Sequence, residues 1–477
     1  MRQRLIIAYA LPTLATQFAL APFTTVLPGI YAKYFGLSAA SIAWVLFASR
    51  AFDAVSDPLV GHLSDRTGGR YGRRKPWIAA GALLTALAMW RVVDPAGQQD
   101  VAFHLAFWSV LFYLGWTMME IPHTAWGSEL TRDYDTRNRV FFTRTLCAVF
   151  GPLAFAVIPL LLDAPTTEMT PQVMAAVAVA FAIGAPVCVG AALLFAPDGP
   201  PVAPAAEQTL GIREAVRAIG RNGPFWRLFG VFLLGGLAAG VYGTLQFIYL
   251  DTYLGIGDKL PHAIGAMMIA SLAGLPLWLK LLRRVDKHRA WSYSLALAAL
   301  WVAAPALLTP GEHAFLPYLI MVVGLALSSG AGVIVPFALL GDVVDYDELR
   351  TGTNRAGAYY AVFTFGVKLN AAIGGSLAFA ILGFAGYDAA SGVSGESGIL
   401  GLKLAFSALP GALFAGAALS VYAFPLDRRR HDVVRRALVR RAKRIASPPM
   451  PASSNHESAG RLAAAEDAGS YPRGQTR

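Results

Sequence analysis

Charged side chains are scarce in this chain: Asp, Glu, Lys and Arg make up 14% of its 477 residues, against about a quarter in a soluble globular protein. That shortage excludes an ordinary water-soluble domain. Cysteine is rarer still. Cys147 and Cys188 both lie in apolar runs, where they read as small buried hydrophobes with no metal or redox motif around them. No His/Cys cluster and no Gly-x-Ser-x-Gly elbow is present, so the convergent set of an enzyme is missing. No ten-residue stretch alternates with a period of two, which argues against a membrane barrel.

What is plentiful is apolar sequence, 56% of the chain, with a mean hydropathy of +0.51. A helix needs roughly 20 apolar residues to cross the hydrocarbon core, and backbone groups in lipid must be satisfied within the segment. Twelve such segments are read, at roughly 5–33, 40–63, 76–93, 101–126, 140–162, 172–196, 224–250, 262–282, 290–309, 314–341, 356–386 and 400–425. Residues 1–33 read as a first span, not as a cleavable signal. Connections after the even-numbered segments are basic, as in Arg66 to Lys75 or Arg283 to Arg289, whereas the odd-numbered ones are nearly free of Lys and Arg, Lys259 excepted. The positive-inside rule then puts both termini in the cytoplasm.

The expected fold is therefore all-α: twelve transmembrane helices in two six-helix bundles. Residues 1–196 form the first bundle, 197–223 a Pro-rich cytoplasmic loop, 224–427 the second bundle, and 428–477 a basic, then disordered tail. The net charge of +11 is concentrated in that tail, beside a span. It reads as an anchor to anionic membrane lipid, not as a nucleic-acid footprint. A monomer in the cell inner membrane is expected.

Against this background the charges inside apolar segments stand out. Arg50, Asp53 and Asp57 share segment 2, and each costs roughly 2.5–3.5 kcal/mol near a bilayer centre on insertion scales. Asp53 and Asp57 are four apart and lie on one helical face. That arrangement suits a cation, or a proton on either carboxylate; the plain alternative is an ion pair with Arg50. Thr117 and Glu120 share a face of segment 4, just before Pro122. Lys368 lies deep in segment 11 and needs a carboxylate or a water-filled cavity. A Lys368 ammonium facing Asp53 or Asp57 would link the two halves until a cation replaced it. His123 is the one histidine placed as a proton carrier. Trp44, Trp126, Tyr359 and Tyr360 are candidates to stack on a ligand ring, although aromatic residues in membrane helices more often serve packing or the interface. Asp65 and Arg70, with Asp342, Asp345, Glu348 and Arg355, sit at the cytoplasmic ends. They are either solvated loop charge or a gate of ion pairs between the bundles.

Four stretches in order carry a resemblance: Asp53 to Gly61 with Gly72 to Trp77; Glu120 to Pro122 with Glu129 to Asp135; Gly341 to Glu348; and Val367-Lys368. They resemble the glycoside–pentoside–hexuronide:cation symporters of the major facilitator superfamily, over residues 1 to about 425. The resemblance implies a coupling ion, Na+ or H+, held by Asp53, Ser56, Asp57 and Thr117, and no other cofactor. It implies a small-molecule substrate, a sugar or glycoside, at Gln17, Glu120, Thr124, Trp126, Arg144 and Lys368. Two positions depart from the pattern. Ser56 stands where sugar carriers of the family often have Asn. Gln17 stands where its melibiose carriers have a sugar-binding aspartate, and an amide makes no charged hydrogen bond. A lysophospholipid-like amphiphile is the alternative substrate, and a non-transporting receptor or scaffold the alternative of another class.

Overall fold

A computed structural model describes residues 3–67, 72–95, 97–131, 133–162, 168–197, 217, 219–353, 355–387 and 395–446. Among the described residues all regular structure is helical. In chain order the helices are α1 (Gln3–Thr25), α2 (Leu27–Tyr34), α3 (Ala39–Arg66), α4 (Lys75–Val92), α5 (Val101–Glu129), α6 (Tyr134–Leu161) and α7 (Pro171–Phe195). These are followed by α8 (Gly223–Ile248), α9 (Leu260–Leu282), α10 (Lys287–Ala303), α11 (Phe315–Ser328), α12 (Gly330–Thr351), α13 (Ala356–Phe384), α14 (Glu396–Lys403), α15 (Leu409–Tyr422) and α16 (Arg428–Ala446).

The starts follow from local chemistry. Ser38, Asp100, Asp133, Thr170 and Asn222 each accept a backbone N–H from the first turn of the helix that follows, satisfying a donor that has no partner inside the helix. Pro28 interrupts α1 and α2 without separating them, because Val26 still donates to the Pro22 carbonyl at 3.0 Å. α8 ends in a wider π turn, Tyr249–Tyr253.

Among the described residues, eleven helical stretches are long and apolar enough to cross a membrane. The expected segment 76–93 forms α4, an 18-residue helix that is not among those eleven. It packs closely on α5, where a side chain at Gly81 would stand 2.7 Å from the Gly115 carbonyl. The expected segment 314–341 is longer than its apolar run. α11 and α12 continue through Ser329 to Thr351, and Gly352, at φ +78°, stops the helix in the left-handed region. This extension brings Asp342, Asp345 and Asp347 onto helix. The basic run after 427, expected as an anchor, is helical as α16 and packs on α12.

Helices before residue 197 pack mainly on one another, α1 against α6 and α7, α4 and α3 against α5. Helices after 223 do the same, α8 against α13 and α15, α10 against α15 and α11. α3 meets α13, α6 meets α9, and α1 and α2 meet α8 across the division. The α8–α13 crossing is glycine on glycine: a Cβ on Gly374 would lie 2.9 Å from the Gly240 Cα. Gly374→Val should therefore part these backbones and lower stability by roughly 1–3 kcal/mol, read as a lower Tm in detergent. Gly184→Ala, with open space around it, should leave Tm unchanged or raise it.

Candidate functional site

Two polar clusters meet along α5. The first joins α3, α5 and α13. Asp53 and Asp57 are 4% and 8% exposed. The Thr117 hydroxyl lies 2.8 Å from Asp53 Oδ1 and 2.9 Å from Asp57 Oδ1. Lys368 reaches in from α13, with Nζ 3.8 Å from Asp53 Oδ2 and in contact with Asp57 Oδ2. Two carboxylates thus face one ammonium. A buried set of this kind is one positive charge short of neutrality, and an uncompensated buried charge is costly. The hydroxyl and carboxylate oxygens are hard donors of the sort that bind a small alkali cation. Arg50 is not the partner of this pair; its guanidinium lies over the Tyr113 ring, 4.1 Å from the centroid. Ser56 is buried on the same helix, but its hydroxyl donates to the Asp53 carbonyl at 3.1 Å.

The second cluster joins α1, α5 and α6 about one helical turn away. Glu120 pairs with Arg144, and the Thr16 hydroxyl lies 3.4 Å from Glu120 Oε2 and 3.0 Å from the Thr13 carbonyl, sharing its one proton between them. Arg144 Nε–H donates to Thr13 Oγ1 at 3.1 Å. Gln17 lies where α1 crosses α6 at Gly151, a crossing so close that a Cβ on Gly151 would sit 2.7 Å from the Gln17 Cβ. Thr124 donates to the Glu120 backbone carbonyl at 2.8 Å. Trp126 is 2% exposed, gives its indole N–H to the Pro197 carbonyl at 3.1 Å, and is flanked by Tyr9 and Lys75. It is packed on all sides instead of offering a free stacking face.

At the helix ends that carry Asp65, every charge pair described stays within its own half. Arg74 reaches Asp65 at 2.5 Å and Glu129 at 2.8 Å. Beyond residue 223, Lys287 holds Asp342 at 2.8 Å, Arg355 lies 3.6 Å from Asp347, and His431 of α16 lies 3.0 Å from Asp345. Glu348 sits one turn before the α12 end, its carbonyl accepting the Gly352 N–H at 2.8 Å. Arg70 lies outside the described residues.

The opposite end holds a cluster that the apolar pattern did not single out. Lys33 of α2 reaches Asp251, in the π turn after α8, at 2.7 Å, and Glu168 at 2.8 Å. Tyr34 donates to the same Glu168 oxygen at 2.8 Å. The Asp251 side chain is 4% exposed. Lys33 was visible as a basic residue at the end of segment 1, on the side where Lys and Arg are otherwise rare. Lys33 and Tyr34 hold the Glu168 carboxyl below its ordinary value of 4.5.

A helical membrane protein with a two-carboxylate, one-lysine cluster between its halves has the makings of a secondary transporter, not an enzyme. Residues 8–428 match the family model described as MFS/sugar transport protein, and the chain belongs to the glycoside–pentoside–hexuronide:cation symporter family of the major facilitator superfamily. It is 24% identical over 452 residues to an Escherichia coli protein named glucuronide carrier protein homolog, covering 90% of this chain and 94% of that one. It is also 24% identical over 425 residues to a zebrafish (Danio rerio) sodium-dependent lysophosphatidylcholine symporter, covering 81% and 79%. The crystal structure of a D-xylose–proton symporter shares the fold at TM-score 0.63 and 13% identity, covering 88% of this chain and 97% of that one.

Removing Lys33 alone leaves Asp251 buried without its cation, a change that costs roughly 3–5 kcal/mol for a buried pair. Lys33→Met should therefore open this end of the molecule, read as longer spin-label distances between α2 and α8, and Lys33→Met with Asp251→Leu should restore the shorter ones. Because Glu168 is held below its ordinary value, its pairing with Lys33, which lies within the first half, is complete above about pH 4.5 and is lost as pH falls through the depressed value.

Proposed function

We propose that this protein couples the entry of a cation, Na+ or H+, to the uptake of a sugar, glycoside or related small polar solute by alternating access. The reading takes α4 as the twelfth span and the bundles as 1–196 and 224–427, with both termini cytoplasmic and the protein a monomer in a bacterial inner membrane. The observation that carries it is Lys368 lying between Asp53 and Asp57 from the opposite half.

In this scheme a cation entering among Asp53, Asp57 and the Thr117 hydroxyl supplies the missing positive charge and competes with the lysine. Lys368 is then released, and with it the tie between α3 and α13. Ser56 would need to turn its hydroxyl away from the Asp53 carbonyl to join the site. The Glu120–Arg144 pair, with Thr16, Thr13 and Gln17 beside it, offers donors and acceptors to sugar hydroxyls, and Thr124 supports Glu120 from within the helix. Trp126 acts through packing. With the Lys33 end taken as periplasmic, that end is tied across the halves, whereas among the described residues the charge pairs at the Asp65 end stay within one half, the pattern of a cytoplasm-facing state. The charges at Asp65, Asp342, Asp345, Glu348 and Arg355 are then free to repair across the bundles when the cytoplasmic side closes.

An amphiphile is the second reading. It is favoured by an apolar groove of about 590 Å³ between α3 and α13, lined by Ala43, Trp44, Phe47, Leu377 and Ala380 among others.

Uptake into proteoliposomes tests both readings. Labelled glycosides, glucuronides and lysophosphatidylcholine are offered under imposed Na+ or H+ gradients. Accumulation of one of them under one gradient is expected; no accumulation under either refutes the symporter reading. Thr117→Val should weaken activation by the coupling ion about tenfold, the weight of one contact of about 1.4 kcal/mol. Lys368→Ala should abolish the dependence of uptake on that ion while the protein still folds, and unaltered dependence would refute the lysine's role.

A further inference from the structure

His123 lies one turn beyond Glu120 on α5 and is 1% exposed. Counting donors places one hydrogen on Nε2. Nε2 stands 2.7 Å from the Tyr9 carbonyl, which can only accept, so Nε2 carries the hydrogen. Nδ1 stands 3.4 Å from Thr13 Oγ1. That same oxygen receives the Arg144 Nε–H at 3.1 Å, and a guanidinium can only donate. When the single hydroxyl proton is directed to Nδ1, that nitrogen is bare and the ring neutral. Both ring nitrogens are engaged, Nε2 as a donor and, in this arrangement, Nδ1 as an acceptor.

The contact is reciprocal. The Tyr9 hydroxyl donates to the His123 carbonyl at 2.8 Å, and the two rings stack with centroids 4.4 Å apart. Gly127 leaves room for this, since a Cβ there would collide with the Tyr9 hydroxyl. The charged and titratable groups around the ring are Glu120 on its own helix, Arg144 on α6 and Tyr9 on α1.

We propose that His123 is a positioning residue of the Glu120–Arg144 site and not a proton carrier. By accepting from Thr13 it turns the Thr13 oxygen toward Arg144, and so holds the guanidinium against Glu120 in the arrangement that receives a hydroxylated substrate. The inference rests on the reading of that pair as the substrate site. Loss of Nδ1 frees the Thr13 hydroxyl to rotate, and Arg144 loses one of its fixed acceptors.

Three variants of the full chain separate the contributions. His123→Asn keeps an acceptor near Nδ1, His123→Gln keeps a donor near Nε2, and His123→Leu removes both. The probes are 4-nitrophenyl glycosides and glucuronides for the substrate, with Na+ or H+ titrated separately for the coupling ion. His123→Leu should weaken binding of the glycoside about tenfold, the effect of losing one hydrogen bond to a charged group. The activation midpoint of the ion should stay within about twofold, and His123→Asn should recover most of the loss. Equal losses for ion and glycoside, or none for either, overturn the proposal.

If the unaltered protein binds none of these glycosides, the substrate reading fails by itself. The tautomer is then decided by ¹⁵N resonances of the histidine-labelled protein at pH 7.5. A neutral Nε2–H ring whose signal vanishes in His123→Asn supports the placement. An Nδ1–H or doubly protonated ring overturns it.

Discussion

The rest of the molecule is organised around two carboxylates that share one ammonium. Asp53 and Asp57 are buried on α3, and the lysine that answers them is more than three hundred residues away on α13. In a low-dielectric interior neither side can be left unmatched at small cost. One lysine cannot neutralise two aspartates, and in the proposed cycle that deficit is what draws in one further positive charge. A sodium ion and a proton both answer that demand, and the Thr117 hydroxyl between the carboxylates is compatible with either. In the proposed cycle this single deficit gives the cation its binding energy and sets the lysine in competition with it.

In the proposed cycle α5 is the element through which the second site would feel the first. Thr117 and Glu120 are three residues apart, about 4.5 Å along the axis, and both point from one side of the helix. Thr117 is committed to α3, whereas Glu120 is committed through Arg144 to α6 and through Thr16 to α1. Any small rotation of α5 that changes one set of contacts changes the other. Coupling between cation and solute then needs no long relay, only a stiff helix with both clusters on it. The close glycine crossings, Gly81 on Gly115 and Gly151 on the Gln17 backbone neighbourhood, make the first half stiff enough to act in this way.

Much of this was legible in the sequence. The apolar segments and basic loops gave the helical class, and the four-residue spacing of Asp53 and Asp57 gave their common face. Lys368 was recognisable because a lysine deep in an apolar helix must find a carboxylate. What sequence spacing cannot supply is partner choice over long separation. Arg50 is nearest to Asp53 in the chain, yet it stacks on Tyr113, and Ser56 turns back to its own helix. Trp126 has the composition of a stacking platform, but its faces and its N–H are already engaged. Asp251 lies at the edge of an apolar run, where a carboxylate ordinarily reads as loop charge. Only the π turn that carries it inward shows that it is buried.

The two ends of the molecule treat their charges in opposite ways, and that contrast bears on the transport cycle. At the Lys33 end the lysine joins α2 to the turn after α8, across the halves. At the Asp65 end Arg74, Lys287, Arg355 and His431 find carboxylates within their own half. A rocking mechanism requires that both ends not be closed at once, because the substrate must always have one exit. Such exclusion arises if closing one end strains the other through the rigid bundles, so that ion pairs formed across the division at one end oppose those at the other. Lys368 lies between the two ends. In the proposed cycle its release would remove the central tie and leave the end contacts to choose the direction, so that a cation of one charge would act on two distant ends without touching either.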